Sequence, residues 1–157
     1  MLGESFDQFE TYLLELMGKQ PDGENILALS LKQEKEMYYM AYHLYRDQQF
    51  EDACHFFRLL VVVNPLEPKY WKGLGASLQM LQHYQDALNC YICTQILHRD
   101  QPDPYLYVYA ADCYFALKQI PSGLKALEAA RLSAEEQQDP RVLKHVALMK
   151  EVWSKQA

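Results

Sequence analysis

The sequence has no apolar run approaching the roughly 20 residues that a membrane-spanning helix requires. It is poor in positive charge: 15 Lys and Arg against 21 Asp and Glu leave a formal charge of −6. That balance argues against binding a phosphate backbone, which needs clustered cations. Glycine is scarce, at six residues, and none belongs to a phosphate-binding loop; Gly73-Leu74-Gly75 falls inside a helical pattern with no strand before it. The five histidines (His43, His55, His83, His98 and His145) show no metalloprotease spacing, and no serine sits in a nucleophile elbow. No catalytic constellation is present, so an enzyme is not expected. Four cysteines are too few for a disulfide scaffold at this length, and reduced thiols are expected. Cys90-x2-Cys93 lacks two further ligands at plausible spacing, with His83, His98 and Cys113 forming no paired motif, so no metal or cofactor is expected. The start, Met1-Leu2-Gly3-Glu4, lacks the basic and apolar regions of a signal peptide, which makes the cytoplasm the expected compartment.

What the chain does have is apolar and aromatic material: half of its 157 residues are hydrophobic, and 12 are tyrosines. It also has a repeat. Trp71, Leu74, Gly75 and Leu78, followed by Ala87 and Tyr91, match the tetratricopeptide spacing W-x2-L-G-x2-Y…A-x3-F. Thirty-four residues earlier stand Met37, Met40, Ala41 and Leu44, then Ala53 and Phe57, closed by Pro65. The pattern returns at Tyr107, Ala110, Ala111 and Tyr114, then Gly123 and Leu127, shifted by 36; the two extra residues fall in the His98–Pro104 connection, where a loop absorbs them easily. Small residues share two columns (Ala41, Gly75, Ala111 and Ala53, Ala87, Gly123), as close helix approach demands. Bulky residues share a third (Phe50, Tyr84, Ile120), at the start of each second helix. Two residues before that bulky position, where the turn favours a positive φ and many such repeats carry Gly, stand Gln48, Gln82 and Lys118, at a cost of about 1 kcal/mol each.

The expected fold is therefore all-α, a tetratricopeptide-repeat superhelix of three helix-pair repeats (34–67, 68–103 and 104–137) between flanking helices. Residues 1–33 form the N-terminal segment, in which Phe6, Phe9, Leu13 and Leu16 recur at helical spacing. That stripe either folds back onto the first repeat or pairs with a second copy of the chain, because left bare it would be a sticky patch. Residues 138–157 read as a C-terminal helix that caps the array: Asp139-Pro140 is a start signal, and Val142, Val146, Met149 and Trp153 line one face. Glu34, Glu36 and Glu135-Glu136 read as solvated charges, and Cys90 and Cys93 as small apolar residues inside a helix.

Stacked helix pairs curve around a concave face lined by the first helix of each pair. With the core of the first helix assigned to Met37, Met40, Ala41 and Leu44, the residues Tyr38, Tyr42 and Tyr45 are left over at i, i+4 and i+7 and are expected to line the groove. The same column holds Lys72, Ala76 and Gln79 in the second repeat, with Lys69, Gly73 and Met80 beside it. In the third it holds Val108, Asp112 and Phe115, with Tyr105 at the rim. An extended peptide is expected there, its apolar side chains resting on the tyrosine rings.

The run Tyr38-x2-Ala41-x3-Tyr45-x4-Phe50-x2-Ala53-x3-Phe57-x2-Leu60, followed by Gly73-Leu74-Gly75-Ala76-x2-Gln79-x4-Tyr84-x2-Ala87-x3-Tyr91, resembles the class II chaperones of bacterial type III secretion. The resemblance spans about residues 34–130. It implies a cytoplasmic protein that holds a secretion substrate, usually a pore-forming translocator, as an extended segment in its groove before export. It makes Tyr38, Tyr42, Tyr45, Ala76, Gln79 and Phe115 cargo contacts, and homodimerisation through the N-terminal helix a shared habit. A gatekeeper or effector from the same system is the alternative cargo. An adaptor for heat-shock-protein C-termini fits poorly: its carboxylate clamp of Lys, Asn and Arg is replaced here by Tyr38, Tyr42, Gly73, Tyr105 and Tyr109.

Overall fold

The computed structural model describes residues 30–156. Among them are seven helices and no strand: α1 (Leu31–Arg46), α2 (Phe50–Val63), α3 (Pro68–Met80), α4 (Tyr84–Leu97), α5 (Pro104–Ala116), α6 (Ile120–Gln137) and α7 (Pro140–Ser154). The stripe Phe6, Phe9, Leu13 and Leu16 lies outside the described residues. No helix among the described residues is long and apolar enough to cross a membrane.

Local chemistry starts and stops these helices. Ser30 and Gln33 form a reciprocal capping box at α1, the Gln33 N–H donating to Ser30 Oγ and the Ser30 N–H to Gln33 Oε1. Pro68, Pro104 and Pro140 each occupy the first turn, where a missing N–H costs nothing. Asp103 and Asp139 accept backbone N–H bonds as N-caps of α5 and α7. Within each repeat the two helices are joined by the same tight turn. Gln48, Gln82 and Lys118 take positive φ values of 63°, 65° and 62°, and the next N–H reaches back to the carbonyl of Leu44, Leu78 or Tyr114. The positive φ expected at these non-glycine positions is present at all three.

Helices pack in chain order, and α1 also touches α3, as α5 touches α7, which brings first helices side by side. The small columns behave as their spacing requires. Ala41, Ala53, Ala87 and Ala111 are fully buried; a Cβ on Gly75 would sit 2.8 Å from the Tyr91 ring, and one on Gly123 would sit 2.3 Å from the Phe115 ring. One apolar cluster spans the first two repeats around Phe57, Leu60, Trp71, Leu74 and Leu88. A second joins the third repeat to α7 through Leu127, Val142 and Val146.

Two assignments need correction. Met40, expected in the core, is 52% exposed, whereas its counterpart Leu74 is 5% exposed. Leu74 lies beneath the preceding helix pair, and α1 has no preceding pair among the described residues. Glu34 is not a solvated charge: it is half-buried, and its Oε1 accepts the Tyr70 hydroxyl at 2.8 Å and the Asn64 amide at 3.0 Å. Cys90 and Cys93 do lie inside α4, both buried; desolvation pushes the Cys90 thiol up to about 12, so it stays protonated. Among the described residues no group of three His, Cys, Asp or Glu is arranged to hold a metal.

Candidate functional site

The helical period places Tyr38, Tyr42 and Tyr45 on one side of α1, facing α3. Between the two helices lies a cavity of about 380 Å³ lined by Tyr38, Tyr42, Tyr45 and Phe57 on one side and by Lys69, Lys72, Gly73 and Ala76 on the other. Tyr38 is its centre. Its ring lies 5.6 Å from Tyr70, 6.5 Å from Tyr42 and 6.3 Å from Phe57, the last edge-on, and Lys69 Nζ sits 4.7 Å over its face. Burial raises the pKa of the Tyr38 phenol above its usual value, reinforced by Tyr42, so the hydroxyl remains a hydrogen-bond donor at neutral pH. Tyr45 packs edge-on against Phe50 at 5.4 Å.

Gly73 has a specific task here. A Cβ at this position would fall 2.2 Å from the Phe57 ring, so only glycine lets that ring fill the floor between α1 and α3. The far wall is electrostatic: Lys72 Nζ lies 2.8 Å from Asp103 Oδ2, while Asp103 Oδ1 accepts the Tyr105 N–H and caps α5. One carboxylate thus starts the third repeat and anchors a lysine of the cavity.

Of the thirteen groove residues read from the sequence, the cavity gathers Tyr38, Tyr42, Tyr45, Lys69, Lys72, Gly73 and Ala76. Gln79 is half-buried, its Oε1 accepting the Tyr91 hydroxyl at 2.6 Å, and Met80 is exposed at the end of α3. Tyr105 lies beside Tyr109 at a ring separation of 6.4 Å. The third-repeat residues diverge from expectation. Val108 is buried, and Phe115 is 2% exposed, held between Gly123 and the Trp153 ring, which stacks on it at 4.4 Å and 7°. Phe115 is therefore covered by α7 and offers no surface to a ligand; Asp112, half-buried, is the one open position of that column.

Sequence reading missed Phe57, Pro68, Thr94, His98 and Asp103 as cavity lining. Phe57, a repeat position in the sequence, serves the core as well as the cavity. Asp103 and His98 arrive through the connection that carries the two extra residues. The signal for Asp103 was there: Asp103-Pro104 repeats the Asp139-Pro140 start 36 residues earlier.

The sequence profile of the Tetratricopeptide repeat family matches residues 35–63 and 68–96. The chain is a tetratricopeptide-repeat protein. It is 29% identical over 93 residues to the low calcium response locus protein H of Yersinia pestis, a match covering 57% of this chain and 54% of that protein. The chain thus spans about half the length of the curated relatives it matches. It is 32% identical to a chain of the CopN–Scc3 complex, covering 91% of this chain and 84% of that one, with a TM-score of 0.68. The type III secretion chaperone SycD of Yersinia enterocolitica, solved with a peptide of the translocator YopD, shares the fold at a TM-score of 0.74 and 22% identity, covering 82% of this chain and 98% of that one. The chain belongs to the tetratricopeptide-repeat chaperones of type III secretion, the class II group.

Proposed function

We propose that this protein is a cytoplasmic chaperone that binds an extended segment of a type III secretion substrate, a translocator, in its concave groove and keeps it soluble and competent for export. The observation that carries this reading is the tyrosine-lined cavity between α1 and α3. It offers aromatic faces for an apolar anchor and hydroxyl and ammonium groups at its rim for the peptide backbone. The occupant of SycD, a translocator peptide, supports the same class of ligand. Each buried apolar anchor contributes about 1.5–3 kcal/mol, so two anchors fall short of the about 8 kcal/mol of micromolar binding, and backbone hydrogen bonds along the groove must add to them. A gatekeeper or effector would use the same groove as alternative cargo.

Co-purification from the native cell followed by mass spectrometry identifies the cargo. The groove itself is tested with the identified segment: Tyr42→Ala with Tyr45→Ala is expected to weaken binding at least about tenfold, a loss of about 1.4 kcal/mol, while the helical circular-dichroism signal survives. Undiminished binding by that folded double variant would sink the groove as the binding site.

A further inference from the structure

Resting on the groove reading above, we propose that α7 is the first helix of an incomplete fourth repeat, and that Arg141, Lys144 and Leu148 form a second docking step on the concave face, taking a carboxylate-bearing apolar stretch of the same bound segment. The repeat register carries this assignment. Counting back in steps of 36, Val142 and Met149 of α7 fall on Leu106 and Cys113 of α5, then on Tyr70 and Ser77 of α3. All but the half-buried Met149 are buried, because this column faces the preceding helix pair. α7 therefore packs on the third repeat as α3 packs on the first. The contacts across α5 and α7 agree: Trp153 stacks on Phe115, and His145 stands near enough to Asp112 to act on its carboxylate.

In that register Lys69 and Lys72, which line the cavity between α1 and α3, recur 72 residues later as Arg141 and Lys144, and Ala76 recurs as Leu148. The two lysines of the first step are engaged, Lys72 with Asp103 and Lys69 over the Tyr38 ring. Arg141 and Lys144 form no ion pair among the described residues. Arg141 lies in the first turn of α7, where the helix dipole disfavours a cation, and Lys144 one turn on. Leu148 is 60% exposed and Val152 lies exposed one turn beyond; a helix that only terminates an array would present a polar face there. The charged and titratable groups around this step are Asp112 from α5 and Asp139, Arg141, Lys144, His145 and Glu151 from α7, the last in the column position of Gln79. Asp139 is committed to the N–H groups of Arg141 and Val142, Glu151 lies 3.6 Å from Lys155, and Asp112 is half-buried. That leaves Arg141 and Lys144 as the cations of the step without an ion-pair partner among the described residues, on a chain whose overall charge is −6. Charge and exposed apolar surface together select an acidic, apolar partner segment. Neighbouring first helices stand about 8–10 Å apart, so the two docking steps lie about 16–20 Å apart, or five to six residues of extended chain at about 3.3 Å each.

The test pans a phage-displayed library of random 16-residue peptides against the full-length protein, the Arg141→Glu/Lys144→Glu variant and the Tyr42→Ala/Tyr45→Ala variant. Thermal melting checks that each is folded. The expected wild-type peptides carry an apolar anchor and, about five to six residues away, Asp or Glu. The charge-reversed variant keeps the anchor preference, loses the acidic one, and binds the wild-type peptides at least tenfold more weakly. Acidic residues that are not enriched, or are enriched equally on the charge-reversed protein, overturn the second step and leave the first standing. An anchor preference that persists in the tyrosine variant overturns the first step instead. A library that yields no binder on wild-type protein overturns both.

Discussion

At the residue scale the most informative positions are those where a side chain tolerates a backbone shape it does not favour. Gln48, Gln82 and Lys118 hold left-handed φ in three equivalent turns, and Gln138 does so at the end of α6 with φ 55°. For a residue with a Cβ that conformation costs about 1 kcal/mol. Each turn is retained because the following N–H bonds to a first-helix carbonyl, at 2.9 Å for His83 to Leu78. Replacing Gln82 with Gly is expected to stabilise the protein by about 0.5–1 kcal/mol, partly offset by the freer unfolded chain. A urea-denaturation midpoint that does not rise would show that the Gln82 side chain contributes more than its backbone costs. Gly73 is the opposite case, a glycine kept by space and not by dihedral angle, since the Phe57 ring fills the volume a Cβ would occupy.

At the element scale α7 does more than close the array. Asp139 caps it, Val142 and Val146 bury its face, and Lys150 bridges to Glu128 of α6 at 2.7 Å. Bonds from Arg131 and Lys150 hold the Glu128 carboxyl down to about 2, so this junction keeps its charges through the mildly acidic range. Asp112, on the side of α5 towards α7, behaves oppositely: burial raises its pKa, with His145 acting against the rise. A carboxyl whose folded pKa lies above the unfolded value contributes stability at low pH and loses it as pH rises through the folded value. At neutral pH the ionised Asp112 is therefore a small burden. Asp112→Asn is expected to raise the melting temperature at pH 7 by the equivalent of under about 1 kcal/mol, since a half-exposed group is screened by solvent. The gain should shrink below pH 4. A gain that is the same at both pH values would remove the ionisation argument.

At the scale of the whole molecule the array has two unlike ends. The α7 end is built as a partial repeat, whereas the α1 end leaves Tyr39 and Met40 exposed at positions whose counterparts Gly73 and Leu74 lie against the preceding repeat. The stripe Phe6, Phe9, Leu13 and Leu16 is proposed as a pairing element between two copies of the chain. Multi-angle light scattering is expected to give about twice the chain mass for the full-length protein and a single chain mass once residues 1–20 are removed. Equal masses for the two proteins would remove N-terminal pairing from consideration.

Periodicity and residue size were enough to read the repeats, because close helix packing admits only Ala or Gly in the two small columns and a bulky residue in the third. The same logic reached the left-handed turns, and helical period alone put Tyr38, Tyr42 and Tyr45 on one side of α1, although the core set it was weighed against included the exposed Met40. Exposure was not legible in that way. Met40 and Leu74 occupy one column, as do Tyr45, Gln79 and Phe115, yet what covers each depends on which helix comes before or after it in space. Only tertiary packing decided that Phe115 is sealed by Trp153, that Glu34 serves Tyr70 and Asn64, and that Asp103 reaches back to Lys72 across 31 residues of chain. Local sequence carries periodicity and volume, whereas burial and charge pairing are set by neighbours distant along the chain.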